Sequence, residues 1–179
     1  MATRTALPCL FVLATAVFVA GRLHATAATT RRPDTARGVL VTGGQRIVAR
    51  VTRVIDGDTV HVSLLGTTQT VRYIGVDTPE SVKPGAPVAC YAKAASHHNA
   101  QLVDREEVVL IAGEEPRDRY GRLLAYVYRS WDDRFVNAEL VARGFARTLT
   151  IPPNIRFGPR FAALAQAARR ARRGLWGAC

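Results

Sequence analysis

The chain has 179 residues, which allows one domain with extensions and excludes a large multidomain assembly. Its 48% hydrophobic content, with no low-complexity tract, excludes a disordered or fibrous chain. A formal charge of +11 at pH 7 points to an anionic partner, either nucleic acid or an acidic surface. Arginine carries nearly all of it, because Lys83 and Lys93 are the only lysines. Arginine suits bidentate phosphate contact, although GC-rich codon usage also raises its frequency.

The N-terminus reads as a targeting segment. Arg4 is a short positive region, Thr5 to Gly21 carries no charge, and Ala25-Thr26-Ala27 fits a small-x-small cleavage site. Residues 1–27 are therefore expected to be a secretory signal, with an uncleaved membrane anchor as the alternative. Export changes the meaning of the cysteines. Cys9 leaves with the signal, and Cys90 and Cys179 are expected to form one disulfide, with two free thiols as the alternative.

Residues 28–45 are small and polar, with Pro33 and Gly43-Gly44, and read as a linker before a domain over residues 46–179. Ile47 to Ile55 is rich in valine and isoleucine and predicts strand 1. Thr59 to Leu65 alternates, with Val60, Val62 and Leu64 on one face and His61 and Ser63 on the other. Gly66-Thr67-Thr68 reads as a hairpin loop, and Gln69 to Val76 as a third strand with Arg72 opposite Val71 and Tyr73. Ser81 to Ala89 holds Pro84, Gly85 and Pro87 and reads as a loop.

Tyr91 to Val103 predicts a helix with Tyr91, Ala95, His98 and Leu102 on one face, which makes His98 a packed residue and His97 a solvated one. Val108 to Ala112 is a fourth strand, Gly113 to Tyr120 a charged turn, and Arg122 to Arg129 a fifth strand. Val136 to Arg143 is a short helix ended by Gly144. Pro159 opens a last helix that stops at Gly174, with Phe161, Leu164, Ala165 and Ala168 as its apolar stripe. Leu140 to Cys179 holds eight arginines and no acid, read either as a solvated face or as an approach surface for polyanions. Five strands with a helix after the third and helices at the end predict an α+β domain, a five-stranded OB-fold barrel with three flanking helices.

The chemistry concentrates in Val54 to Glu80. Asp56, Asp58, Asp77 and Glu80 lie there, and the nearest other acids are Asp34 and Asp104. Asp56-Gly57-Asp58 is a tight turn between two strands, and Asp77-Thr78-Pro79-Glu80 ends the third. If the strands pair, both turns share one end of the sheet, where several carboxylates repel unless a cation or a proton offsets them. Arg72 adds an anion contact on the strand leading to Asp77.

Four motifs in series, I-D-G-D-T, V-R-x-I-G-V-D-T-P-E, D-R-Y-G-R-x-L-A-Y-V-Y and V-N-x-x-L-V-x-x-G-x-A, resemble the staphylococcal nuclease (thermonuclease) family over Ile47 to Trp176. The resemblance implies an OB barrel that binds Ca²⁺ through Asp58, Asp77 and the backbone carbonyl of Thr78, with Asp56 in support. It implies that Arg72 and Arg122 hold the scissile phosphate, that Glu80 is the general base, and that Tyr120 lies close to the nucleotide phosphate. In one respect the chain departs from the family. Where the family has tyrosines for base stacking, G-F-A-R-T-L-T-I-P-P-N carries Leu149 and Ile151.

The expectation is a secreted, monomeric, calcium-dependent nuclease that hydrolyses DNA and RNA, single-stranded or locally open, with little sequence preference. A non-catalytic nucleic-acid-binding OB domain would have no need of Arg72, Glu80 and Arg122 together. A glycosidase using Asp77 and Glu80 would have no need of the arginines.

Overall fold

In the computed structural model the described residues are 41–80 and 87–179, all within one compact unit. The expected signal (1–27), most of the expected linker (28–40) and most of the 81–89 loop lie outside them. No helix among the described residues is long and apolar enough to cross a membrane.

The strands are β1 (Arg46–Val54), β2 (Thr59–Leu64), β3 (Thr67–Tyr73), β4 (Gly75–Asp77), β5 (Glu107–Arg117), β6 (Leu123–Arg129) and β7 (Arg147–Leu149). The helices are α1 (Ala92–Val103), α2 (Val136–Ala142), α3 (Gly158–Arg170) and a single turn, α4 (Leu175–Ala178). Five strands close a barrel in the order β1-β2-β3-β6-β5, and β4 pairs with β7 outside it. Every barrel pair is antiparallel except β3 with β6, which run parallel. This closed mixed barrel with flanking helices is the expected OB-type α+β architecture.

Strand alternation builds the interior. Val51, Val60, Val62, Val71, Leu110 and Leu123 are fully buried in one cluster. Each side chain of this size contributes about 1.5–3 kcal/mol by leaving water. Leu140 and Val141 of α2 join the same cluster, with Leu164 and Ala165 of α3 packed against it. Phe161 anchors a second, aromatic cluster with Tyr126 and Phe135.

Four local expectations are corrected. The third strand breaks at Ile74, because Gly75 has φ +81 and a Cβ there would fall 2.3 Å from the Phe161 ring. Only glycine meets both demands, and the break sends β4 away from the barrel to β7. The β2–β3 turn is Leu65-Gly66, both with positive φ, so Thr67 pairs with Leu64 instead of belonging to the loop. β5 runs on to Arg117 through an irregular register after Ala112, so most of the charged turn is strand. Residues 41–45, expected as linker, are docked: Val41 is buried, and Gly44 donates its N–H to Ala112 at 3.0 Å.

Candidate active site

The β1–β2 turn carries the first two acids. Asp56 Oδ1 accepts the backbone N–H of Asp58 at 3.0 Å, which fixes the turn. A Cβ at Gly57 would lie 2.7 Å from the Thr78 side chain, so a glycine lets the turn press against Thr78. Asp58 is buried. Its Oδ2 accepts the N–H and hydroxyl of Thr78 at 2.8 and 3.0 Å. Its Oδ1 accepts the Thr59 hydroxyl at 3.2 Å and faces Arg72 Nε at 3.2 Å. Burial pushes the Asp58 carboxyl up to about 6, against the lowering effect of Arg72 and Thr78 and with a further push from Asp56.

Arg72 joins the two acidic turns. Nη1 donates to the carbonyls of Tyr73 and Val76 at 2.8 Å each, and Nη2 to Asp77 Oδ1 at 3.3 Å. The Asp77 side chain is 52% exposed against 6% for Asp58, so Asp77 is the weak, solvated end of this network. Among the described residues no three His, Cys, Asp or Glu side chains converge at metal-binding distance. Asp58 and Asp77 flanking one guanidinium are nevertheless all-oxygen donors, whose chemistry fits a hard cation and not zinc. The raised Asp58 carboxyl marks a buried negative charge that a cation would relieve.

On its other side Arg72 lines a cleft of about 480 Å³ together with Tyr120 and Arg122, with Leu149 and Ile151 as an apolar wall. Arg122 immediately precedes β6, after a turn built by Asp118. Asp118 Oδ1 accepts the N–H groups of Tyr120 and Arg122 at 2.9 Å each, and Oδ2 accepts Arg122 Nε at 2.7 Å. The guanidiniums of Arg119 and Arg122 lie 4.7 and 5.5 Å from the centre of the exposed Tyr120 ring.

Glu80 lies elsewhere. It borders an adjoining hollow of about 310 Å³ with Asp77, Thr78, Arg147 and the two cysteines. The two sites share the Arg72–Asp77 contact. Cys90 and Cys179 are bridged, with their Cα atoms 6.1 Å apart, as expected from an oxidised chain. A larger depression of about 640 Å³ between β1 and α1 holds none of the expected site residues.

Sequence reasoning missed two residues that hold the site. Buried Asn99 of α1 donates Nδ2 to the Asp56 carbonyl at 3.0 Å and accepts the Tyr73 hydroxyl at 3.1 Å. A polar residue one position from the His98 face was the available signal. Asp118 was the other: it lies in the expected charged turn, three residues before a glycine, but its carboxylate was given no role in holding Arg122.

The staphylococcal nuclease homologue model matches residues 70–178. The chain belongs to the staphylococcal nuclease family. It is 46% identical over 107 residues to the thermonuclease of Staphylococcus intermedius, covering 60% of this chain and 62% of that protein. It is 39% identical over 127 residues to the thermonuclease of Staphylococcus hyicus, covering 71% and 74%. It is 40% identical over 126 residues to endonuclease YncB of Bacillus subtilis, covering 69% and 59%. The matched region is thus under two thirds of the first and third relatives. The family match begins at Thr70, so Asp56 and Asp58 precede it. Thr78 and Arg72 tie them to the matched part.

Proposed function

We propose that this staphylococcal nuclease family member is a secreted, monomeric, calcium-dependent nuclease that hydrolyses phosphodiester bonds of DNA and RNA with low sequence specificity. The observation that carries the reading is Arg72, which contacts Asp58 and Asp77 while lining one cleft with Arg122 and Tyr120. A phosphate bound there meets two guanidiniums, and the growing negative charge on phosphorus in the transition state is stabilised by charges already in place. Nη2 is the Arg72 nitrogen most open to that phosphate, because its partner Asp77 is solvated while Nε and Nη1 are held inside.

Asp58, Asp77 and the Thr78 carbonyl would hold the cation, with Asp56 in support. When bound, Ca²⁺ supplies Lewis-acid charge next to the phosphate. Glu80, on the segment directly after Thr78, takes the proton of the attacking water. Tyr120 presents its ring and hydroxyl beside Arg122 at the mouth of the cleft. Leu149 and Ile151 offer a base apolar contact without an aromatic face, so ground-state binding is weaker by part of the ~1–3 kcal/mol that stacking supplies. An unpaired or locally open strand suits a cleft that takes single nucleotides.

The test is degradation of single-stranded DNA by the purified chain with Ca²⁺ and with chelator. Activity is expected only with the metal, and Glu80→Gln and Arg72→Ala should each lower turnover by at least about a hundredfold with the fold retained. Full activity in chelator would sink the metal assignment. Tight binding of DNA with no cleavage under any condition would favour the binding-domain alternative.

A further inference from the structure

The Cys90–Cys179 bridge borders the hollow that contains Asp77, Thr78 and Glu80, so it adjoins the acidic segment. We propose that this disulfide is a positioning element for Glu80, and that reducing it lowers turnover without loss of substrate binding. The proposal rests on the assignment of Glu80 to the attacking water.

Two ties converge on the bridge. On one side, the Glu80 carbonyl accepts the N–H of Ala89 at 3.0 Å, and Cys90 is the next residue. The position of Cys90 therefore passes to the Glu80 backbone through one residue and one hydrogen bond. Cys90 itself sits in the turn that enters α1, where Ala92 donates its N–H to Ala89 at 3.0 Å. Tyr91 at the start of α1 has φ 69, and no side chain caps the helix. On the other side, Cys179 ends α4, whose Leu175 is buried and donates its N–H to Gly144 at 2.9 Å. Trp176 of α4 stacks under the guanidiniums of Arg147 and Arg169, at 5.6 and 4.3 Å from the ring centre. Arg147 is the register partner of Asp77 across the β4–β7 pair. The disulfide thus closes a ring that starts at Asp77, passes Glu80 and Cys90, crosses to α4 and returns through Arg147.

Without the bridge, the described link between the Cys90 side and Glu80 is the main-chain hydrogen bond from Ala89, next to an uncapped helix start. Hydrogen bonds of that kind open locally without global unfolding. A general base must stay within hydrogen-bond reach of the water, and a displacement of about 1 Å costs about a hundredfold in rate. Both cysteines are exposed, so a dithiol reaches them. The dithiol gives up two electrons and two protons, the S–S bond becomes two thiols, and the reductant becomes its own disulfide. A bridge that only stabilised the fold would leave the kinetic constants of the folded enzyme unchanged.

The experiment compares the oxidised full chain, the same chain reduced with a dithiol, and Cys90→Ala/Cys179→Ala, each shown folded by circular dichroism at the assay temperature. With Ca²⁺ and single-stranded DNA, kcat is expected to fall at least about tenfold while KM stays within about twofold, and reoxidation of the reduced chain restores the rate. Reduction in place keeps the test valid if the double variant does not fold. In a Glu80→Gln background, removing the bridge is expected to add no further loss, because both changes act through one group. Wild-type kcat in folded, bridge-free protein overturns the positioning role while Glu80→Gln remains impaired. Wild-type turnover in Glu80→Gln overturns the assignment of Glu80 itself, and the positioning role with it.

Discussion

Asn99 reaches from the buried face of α1 to the Asp56 carbonyl, donating Nδ2 at 3.0 Å, so a helix far along the chain holds the first acidic turn. The same amide accepts the hydroxyl of Tyr73, which is fully buried and which burial holds un-ionised. Asn99→Ala removes both contacts and leaves the Tyr73 hydroxyl without its acceptor. The expected cost is about 1–3 kcal/mol, read as a lower midpoint in urea, with a weaker Ca²⁺ affinity by calorimetry as the turn loosens. Unchanged Ca²⁺ affinity would separate Asn99 from the site.

If Asp77 belongs to the proposed cation site, its substitution separates metal binding from folding. Its carboxylate is solvated and its contact with Arg72 is long, so Asp77→Ala should leave the melting temperature of the metal-free protein nearly unchanged. If Asp77 is a cation ligand, any rise in melting temperature that Ca²⁺ gives the parent chain by mass action should disappear in this variant. Scanning fluorimetry with a Ca²⁺ titration reads both. A full Ca²⁺ shift in Asp77→Ala would remove this residue from the ligand set.

The basic C-terminal third divides into two sets. Arg169, Arg170, Arg172 and Arg173 are all exposed, but Arg169 also covers Trp176 and Arg173 Nη1 donates to the Ala142 carbonyl at 3.3 Å. If this helix steers polyanions, Arg170→Ala/Arg172→Ala should lower the slope of log K against log salt by about 1–2 with no change in melting temperature. Arg169→Ala/Arg173→Ala should lower both. An unaltered slope in the first pair would return the helix end to a solvated face.

His98 gives the fold an acid-sensitive contact. Its ring stacks on Phe145 with centroids 4.1 Å apart, and Nε2 has no hydrogen-bond partner among the described residues. Burial holds its pKa below 6.5, so the unfolded chain takes up the proton first as pH falls. The folded state therefore keeps this contribution above pH 6.5 and loses it as pH drops through the lower folded value. His98→Phe should keep the stack and flatten the decline of urea midpoints below pH 6.5. An identical decline in both proteins would assign acid lability to other groups.

Much of this protein is legible in the residue string because local physics acts at short range. Val60, Val62 and Leu64 alternate because a pleated strand buries every second side chain, and all three are buried. Phe161, Leu164, Ala165 and Ala168 follow helical spacing, and they pack as that spacing requires. The acidic turns, both cleft arginines and Tyr120 are readable because turn chemistry and motif spacing are properties of neighbouring residues. Tertiary structure decided what distant residues do together. The break at Gly75 depends on Phe161, eighty-six positions away, and no local preference reports a ring waiting to occupy the space of a Cβ. The Asn99 contact with Asp56, the sharing of Arg72 between Asp58 and Asp77, and the meeting of Cys90 with Cys179 beside Glu80 all arise from barrel closure and from helices docking on it. Those contacts are set by packing of the whole chain, because each element can bury its apolar face only against partners far away in sequence.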